Sequence, residues 1–269
     1  ANNAKTSYKR LASFMEETQD DDVSEKNKGA IRREKLGSIE FKDTTYRYPE
    51  ADLDTLRSIN LSVNEGEKVA ILGRNGSGKS TLMKLASGLF KASDGLVMYD
   101  GVDIKQLHTD DLSKSIGIVL QDVQLFSGSI RENITMGRED INQDDLINAG
   151  KLSGLDDFVS KIPGGYDLQL SDGGKGLSGG QRQSIALARA IVHKPTHFIL
   201  DEPTSAMDMN AENIFISQMG SIMQDSTMLI VTHRMPLLNL VDRIIVMNEG
   251  QIVEDGPKEE IINKLNQPR

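Results

Sequence analysis

The chain contains no cysteine. That absence excludes disulfides, thiolate catalysis and cysteine-based zinc sites, and it fits a reducing cytosol. Histidine is scarce too, with four in 269 residues and none at a metal-ligand spacing such as H-E-x-x-H. A bound metal is therefore expected to be held by oxygen. No run approaches the roughly 18 to 20 consecutive apolar residues that cross a bilayer. Residues 1–12 are polar and lack the apolar stretch of a secretory signal. The chain opens at Ala1 without a methionine, as expected of a piece of a longer protein. Basic charge is also in deficit. The formal net charge is −9, so no nucleic-acid partner is expected, because phosphate backbones select basic faces. Internal repeats and low-complexity tracts are absent from the sequence.

What is present divides the chain unevenly. Residues 1–36 are expected to be a separate unit: residues 5–17 can form an amphipathic helix with Tyr8, Leu11, Ala12 and Met15 on one stripe, and residues 18–28 form a polar, acidic linker. From Ser38 the pattern turns to strands. Ile39 and Phe41 alternate with polar neighbours, residues 56–63 form a second run, and Val69-Ala70-Ile71-Leu72 is continuously apolar, as a strand buried on both faces should be. A helix is expected over residues 80–89. Residues 121–194 carry helical periodicity, clearest at 144–152 and 180–192. Three strand-like runs follow (197–200, 228–232 and 243–247), separated by helical segments at 211–223 and 236–241. Alternating strands and helices imply a largely parallel sheet covered on both faces.

Three motifs carry chemistry. Gly73-Arg74-Asn75-Gly76-Ser77-Gly78-Lys79-Ser80-Thr81 contains G-x-x-x-x-G-K-[ST] between a buried strand and a helix. Backbone N–H groups and a helix N-terminus there can cradle phosphate. Lys79 is expected on the β- and γ-phosphates, with the Ser80 hydroxyl on Mg²⁺. Phe198-Ile199-Leu200-Asp201-Glu202 is an apolar strand ending in two carboxylates. Asp201 suits the shell of a hard cation, which leaves Glu202 free as general base toward water. Leu177-Ser178-Gly179-Gly180-Gln181 opens a strongly helical segment, which makes it a second helix-N-terminal anion site. Two phosphate sites so far apart in one chain can serve one ATP only if two chains face each other, each supplying half.

With these residues in this order, the sequence resembles the nucleotide-binding domain of an ABC transporter over residues 38–262, nearly the whole chain after the N-terminal segment. The resemblance implies an α/β fold, a P-loop NTPase ABC-type ATPase core with an antiparallel β-subdomain and a helical signature subdomain at about 121–194, within a domain spanning 37–269. It implies Mg-dependent ATP hydrolysis by a head-to-tail dimer, most simply a homodimer. Tyr48, in Tyr46-Arg47-Tyr48-Pro49, matches the adenine-stacking A-loop, while Tyr46 reads as strand packing. Gln121 matches the Q-loop, which touches Mg²⁺. Asp208, in Ser205-Ala206-Met207-Asp208, matches the D-loop, and His233 the switch histidine that senses the γ-phosphate. Glu202, His233, Gln121 and Lys79 are then the catalytic set, and Ser80, Gln121 and Asp201 the metal set. His108, His193 and His197 read as structural or exposed.

Finer texture is similar to exporters. Residues 124–134, 201–208, 241–244 and 255–258 look most like type I secretion ATPases, the LapB-like and RTX-toxin group that exports large toxins and adhesins. In that group a membrane domain precedes the ATPase, so residues 1–36 are expected to join a transmembrane domain at the cytoplasmic face of the inner membrane. One departure stands at Ser171-Asp172-Gly173-Gly174-Lys175-Gly176, where the exporter X-loop usually carries Glu before Arg-Gly; Asp172 keeps the charge and Gly173 lacks the Arg. The alternatives are a separate ATPase subunit of another ABC transporter and a soluble, non-transport ABC ATPase. The short interval between Gln121 and Ser178 leaves no room for the coiled coil of repair-type members, and these 269 residues do not show the tandem cassettes of translation-type members.

Overall fold

The computed structural model describes residue 27 and residues 29–266. The helix expected at 5–17, and the acidic run after it except Asn27, lie outside the described residues. Just before the first strand the chain is held at several points. Ile31 bridges Leu107 in parallel, and Asp111 accepts from the Arg33 amide at 2.8 Å and pairs with Arg32 at 3.1 Å.

The short apolar runs build the main sheet. Strands β3 (Lys68–Gly73), β6 (Ile116–Val119), β9 (His197–Asp201), β10 (Thr227–Val231) and β11 (Arg243–Asn248) lie parallel in the order β11-β3-β10-β9-β6. Successive side chains point to opposite faces. Val69, Ile71, Ile199, Leu229, Val231 and Ile245 enter one core, while Ala70, Phe198, Leu200, Met228, Ile230 and Ile244 enter the other. Burial on both sides is why each run is apolar at consecutive positions rather than alternate ones. An antiparallel strand at the edge, β12 (Gln251–Pro257), makes the sheet mixed.

The first core is shared with a four-stranded antiparallel sheet in the order β2-β1-β4-β5, from β1 (Ile39–Tyr46), β2 (Leu56–Val63), β4 (Asp94–Tyr99) and β5 (Val102–Asp103). Helix α1 (Lys79–Ala86) fills the space between the sheets, and the buried Tyr99 hydroxyl donates to Ala86 O at 2.7 Å. Helix α2 (Thr109–Ser115) leads into β6. The second core collects α3 (Ile130–Thr135), α4 (Gln143–Leu152), α5 (Asp156–Val159), α6 (Gly179–Ile191) and α7 (Met209–Ile222). The chain closes with α8 (Lys258–Asn266).

Caps set these helices locally. Ser129 with Glu132 and Ser178 with Gln181 form reciprocal capping boxes at α3 and α6, satisfying end N–H groups that have no partner inside the helix. Several expectations shift. The helix expected at 80–89 ends at Ala86, and the segment expected at 236–241 is a 3-10 turn, Met235–Leu240. Residues 121–194 also hold a small ribbon, β7 (Gly128–Ser129) against β8 (Gln169–Leu170).

A buried polar clasp fixes the segment after Gln121. Asn133 is fully buried; its amide donates to Phe126 O and Ser129 O at 2.9 and 3.1 Å and accepts from Phe126 N at 3.1 Å. Arg189 of α6 adds bonds to Asn133 O at 2.8 Å and Gln124 O at 3.2 Å. The Gly173 amide donates to Leu125 O at 2.9 Å, so the Asp172–Gly174 turn leans on this same segment.

Candidate active site

Register decides which loops meet. Ile71 pairs with Val231, Val231 with Asp201, and Val119 sits opposite Leu200. The loops at 73–78, 201–208, 232–235 and 120–122 therefore leave the sheet at one carboxyl edge, where ligands bind in open α/β sheets.

The first of these loops has no room for side chains at two of its glycines. Gly73 stands at φ 151°, and a Cβ there would run into Met247 O and lie 2.7 Å from Ser77 Oγ. Gly78 stands at φ 99°, and its Cβ would lie 2.6 Å from Leu56 Cδ2. Asn75 and Gly76 are exposed, Ser77 and Thr81 buried. Ser77 Oγ has no hydrogen-bond partner. Lys79, 7 % exposed, folds back so that Nζ donates to Gly73 O at 2.8 Å and Arg74 O at 3.0 Å. Burial pulls its pKa down, opposed by the Asp201 and Glu202 carboxylates.

Those two carboxylates sit differently. Asp201, at the end of β9, is buried, and its Oδ1 has no hydrogen-bond partner. Burial raises its pKa, while the Ser80 hydroxyl and the Lys79 ammonium work against the rise. Glu202 takes φ 50°, a left-handed conformation costing a residue with a side chain about 1–2 kcal/mol. Its Oε1 lies 3.5 Å from His233 Nε2, at ion-pair distance without a formed hydrogen bond. Burial raises its pKa as well, and His233 partly offsets that. Gln121 and the His233 side chain are exposed.

Tyr48 stands beside the phosphate loop, with its hydroxyl 3.0 Å from Thr81 Oγ1 and its ring edge-on to Tyr46 and Phe90. Tyr46 is buried and stacks on Phe90 at 5.2 Å, as packing requires. Asp208 caps α7 through the Ala211 amide at 2.8 Å. Ser178, Gly179, Gly180 and Gln181 are not brought to the phosphate loop. The side-chain hydrogen bonds of Ser178 and Gln181 are to each other, within the cap of α6, and a Cβ on Gly179 would lie 3.0 Å from Ala206 Cβ.

The other histidines have structural places. His197 is buried, with Nε2 donating to Gly37 O at 2.6 Å and Nδ1 at 2.9 Å from Thr196 Oγ1; burial lowers its pKa. His108 caps α2, and partial burial lowers the pKa of His193.

Sequence reading missed a shell behind the site. Gln183 of α6 reaches Glu202 O and Ala206 N, Arg234 reaches Ser205 O at 3.3 Å and pairs with Glu212 at 3.1 Å, and Glu212 accepts from Thr204 at 2.7 Å. A signal was available for Gln183: it is a polar residue on the apolar stripe of α6, with Leu187 and Ala190.

A family model described as "ABC transporter" matches residues 56–205, more than half of the chain. The chain belongs to the ABC transporter family. Among its relatives, the cyclolysin secretion/processing ATP-binding protein CyaB of Bordetella pertussis is 41% identical over 226 residues, 84% of this chain and 32% of that protein. The leukotoxin export ATP-binding protein LtxB of Aggregatibacter actinomycetemcomitans is 42% identical over the same shares. The leukotoxin translocation ATP-binding protein LktB of Mannheimia haemolytica is 42% identical over 86% of this chain and 32% of that protein. A solved structure, a bacterial Atm1-family ABC exporter with ATP bound, superposes with a TM-score of 0.79 at 31% identity, covering 86% of this chain and 40% of that one. The chain thus spans about a third of the length of these curated relatives. Membership in the family makes this an ATP-binding domain of the ABC type. No described helix is long and apolar enough to cross a membrane.

Proposed function

We propose that this ABC domain is the ATP-hydrolysing motor of an exporter, of the type I secretion kind that moves large toxins or adhesins. The observation that carries the reading is the meeting of Lys79, Asp201, Glu202 and His233 at one sheet edge, while the side-chain hydrogen bonds of Ser178 and Gln181 stay within the cap of α6. A nucleotide held by residues 73–81 would gain its second phosphate contact from the Ser178 end of another copy. Two copies would close head to tail on two ATP molecules. Tyr48 would stack on the base, and Asp208 would lie at the joint.

The residues present fit Mg²⁺. The unpartnered Asp201 oxygen, the Ser80 hydroxyl and the Gln121 amide are the oxygen donors a hard cation takes. Among the described residues no group of three or more acidic or histidine side chains could hold a metal, so phosphate oxygens and water would fill the remaining positions. Bound there, Mg²⁺ would offset charge on the phosphates. Glu202, with its raised pKa, would take a proton from the attacking water, and His233 would hold the carboxylate in place. Lys79 would trade the carbonyls of Gly73 and Arg74 for phosphate oxygens.

The remaining length of the relatives and the exporter neighbour support transmembrane domains on the same native chain, joined through residues 1–36 at the cytoplasmic face of the inner membrane. The head-to-tail site is tested by mixing two inactive variants, Lys79→Ala and Ser178→Arg. Half of the dimers in an equal mixture carry one intact composite site of two, so turnover should return to about one quarter of the parent rate. A mixture as dead as its components would sink the shared site. An antibody to this domain that detects a soluble native chain no longer than this one would remove the exporter assignment.

A further inference from the structure

Gln183 is 2 % exposed, and both ends of its amide are used. Nε2 donates to the Glu202 carbonyl at 3.0 Å and lies 3.5 Å from the Ser205 hydroxyl, while Oε1 accepts the Ala206 N–H at 3.0 Å. The partners differ in kind: a carbonyl can only accept, and a backbone N–H can only donate. The amide therefore has one orientation that satisfies both.

The residue it grips, Glu202, has a left-handed φ of 50°. Such a conformation persists where its surroundings over-determine it. The Glu202 main chain is held by its own N–H on Val231 O at 2.9 Å, and its carbonyl accepts the Ser205 N–H at 3.2 Å besides the Gln183 amide. Of these, only the Gln183 bond comes from outside the strand pairing and the local turn. It comes from α6, the helix capped by Ser178, and a Cβ on Gly179 of that helix would lie 3.0 Å from Cβ of Ala206, the second residue Gln183 holds.

We propose that Gln183 is a positioning residue for ATP hydrolysis: it clamps the Glu202 main chain so that the carboxylate stays beside His233, and it ties that carboxylate to the signature end of α6. This rests on Glu202 acting as the base. The helix end that would meet a partner's nucleotide and the base serving this chain's own nucleotide then share one rigid link.

Two variants test it. Gln183→Glu keeps the side-chain length and the acceptor for Ala206 N–H but replaces the donor to Glu202 O by an oxygen. Gln183→Met keeps similar bulk and removes both bonds. Turnover against ATP concentration, binding of a fluorescent ATP analogue and thermal melting would be measured for both, for the parent and for Glu202→Gln. We expect kcat to fall about ten- to hundredfold in both Gln183 variants, as small misplacements of a catalytic group do. KM and analogue affinity should stay within about twofold of the parent, because the phosphate loop is untouched. Parent-like kcat in both variants, with Glu202→Gln inactive, would overturn the positioning role alone. Full turnover in Glu202→Gln would overturn the base, and this proposal with it. Loss of both analogue binding and the melting transition in both variants would assign Gln183 to folding and refute the clamp.

Discussion

Glu202→Gln asks one side chain to give two opposite results. The substitution keeps size and the φ 50° backbone but removes the negative charge and the ability to accept a proton. A positioned general base contributes about 10²- to 10⁴-fold in rate, so turnover should fall by that factor while ATP binding persists. Stability should move the other way. Burial raises the Glu202 pKa in the folded chain, so the folded state binds its proton more tightly than the unfolded state does. The stabilisation from that proton is complete below the unfolded pKa and is lost as pH rises through the folded pKa. Once the carboxylate ionises, the parent carries a partly desolvated charge that glutamine relieves, a trade of stability for activity. The assays are phosphate release with Mg²⁺ and ATP, and thermal melting without nucleotide at neutral and acidic pH. The variant should melt above the parent at neutral pH, and the gap should shrink on acidification. Turnover within threefold of the parent would refute Glu202 as base; a variant that melts lower at neutral pH would refute the electrostatic argument.

Other substitutions probe the scaffold and the nucleotide separately. Gly78→Ala forces a side chain into a left-handed position and against Leu56; urea unfolding should show a loss of about 2–4 kcal/mol, with weaker nucleotide binding. Asn133→Ala removes three hydrogen bonds to part-buried Phe126 and buried Ser129 backbone groups and should cost about 2–4 kcal/mol in the same assay while ATP affinity changes little. Tyr48→Ala should weaken ATP about tenfold, in line with base–aromatic stacking energies. Binding of inorganic pyrophosphate, which has no base, should hardly change in that variant.

Some of this protein is local and could be read directly. The phosphate loop, the Asp201-Glu202 pair and the Ser178 helix start are defined by residues a few positions apart, and so are the capping boxes at Ser129 and Ser178. The doubly buried strands β3, β9, β10 and β11 announce themselves because their central residues are apolar at consecutive positions, as covering both faces requires. Strands β4 and β12 do not. One opens on Asp94-Gly95, and the other is an exposed edge holding Glu254, Asp255 and Gly256, so composition resembles a turn and only pairing makes them strands.

The residues by themselves determined the groups on offer: a Gly-rich loop before a helix, a pair of carboxylates at a strand end, a histidine just past another strand, and an acidic chain without cysteine. The tertiary structure alone decided who meets whom. The pairing of Ile71 with Val231 and of Val231 with Asp201 brings three distant loops to one edge. The same folding buries Gln183 behind Glu202. The physical reason is range. Turns and caps are satisfied within a few residues, whereas register and the partner of a buried amide depend on segments far apart in the chain, which only the closed core holds together.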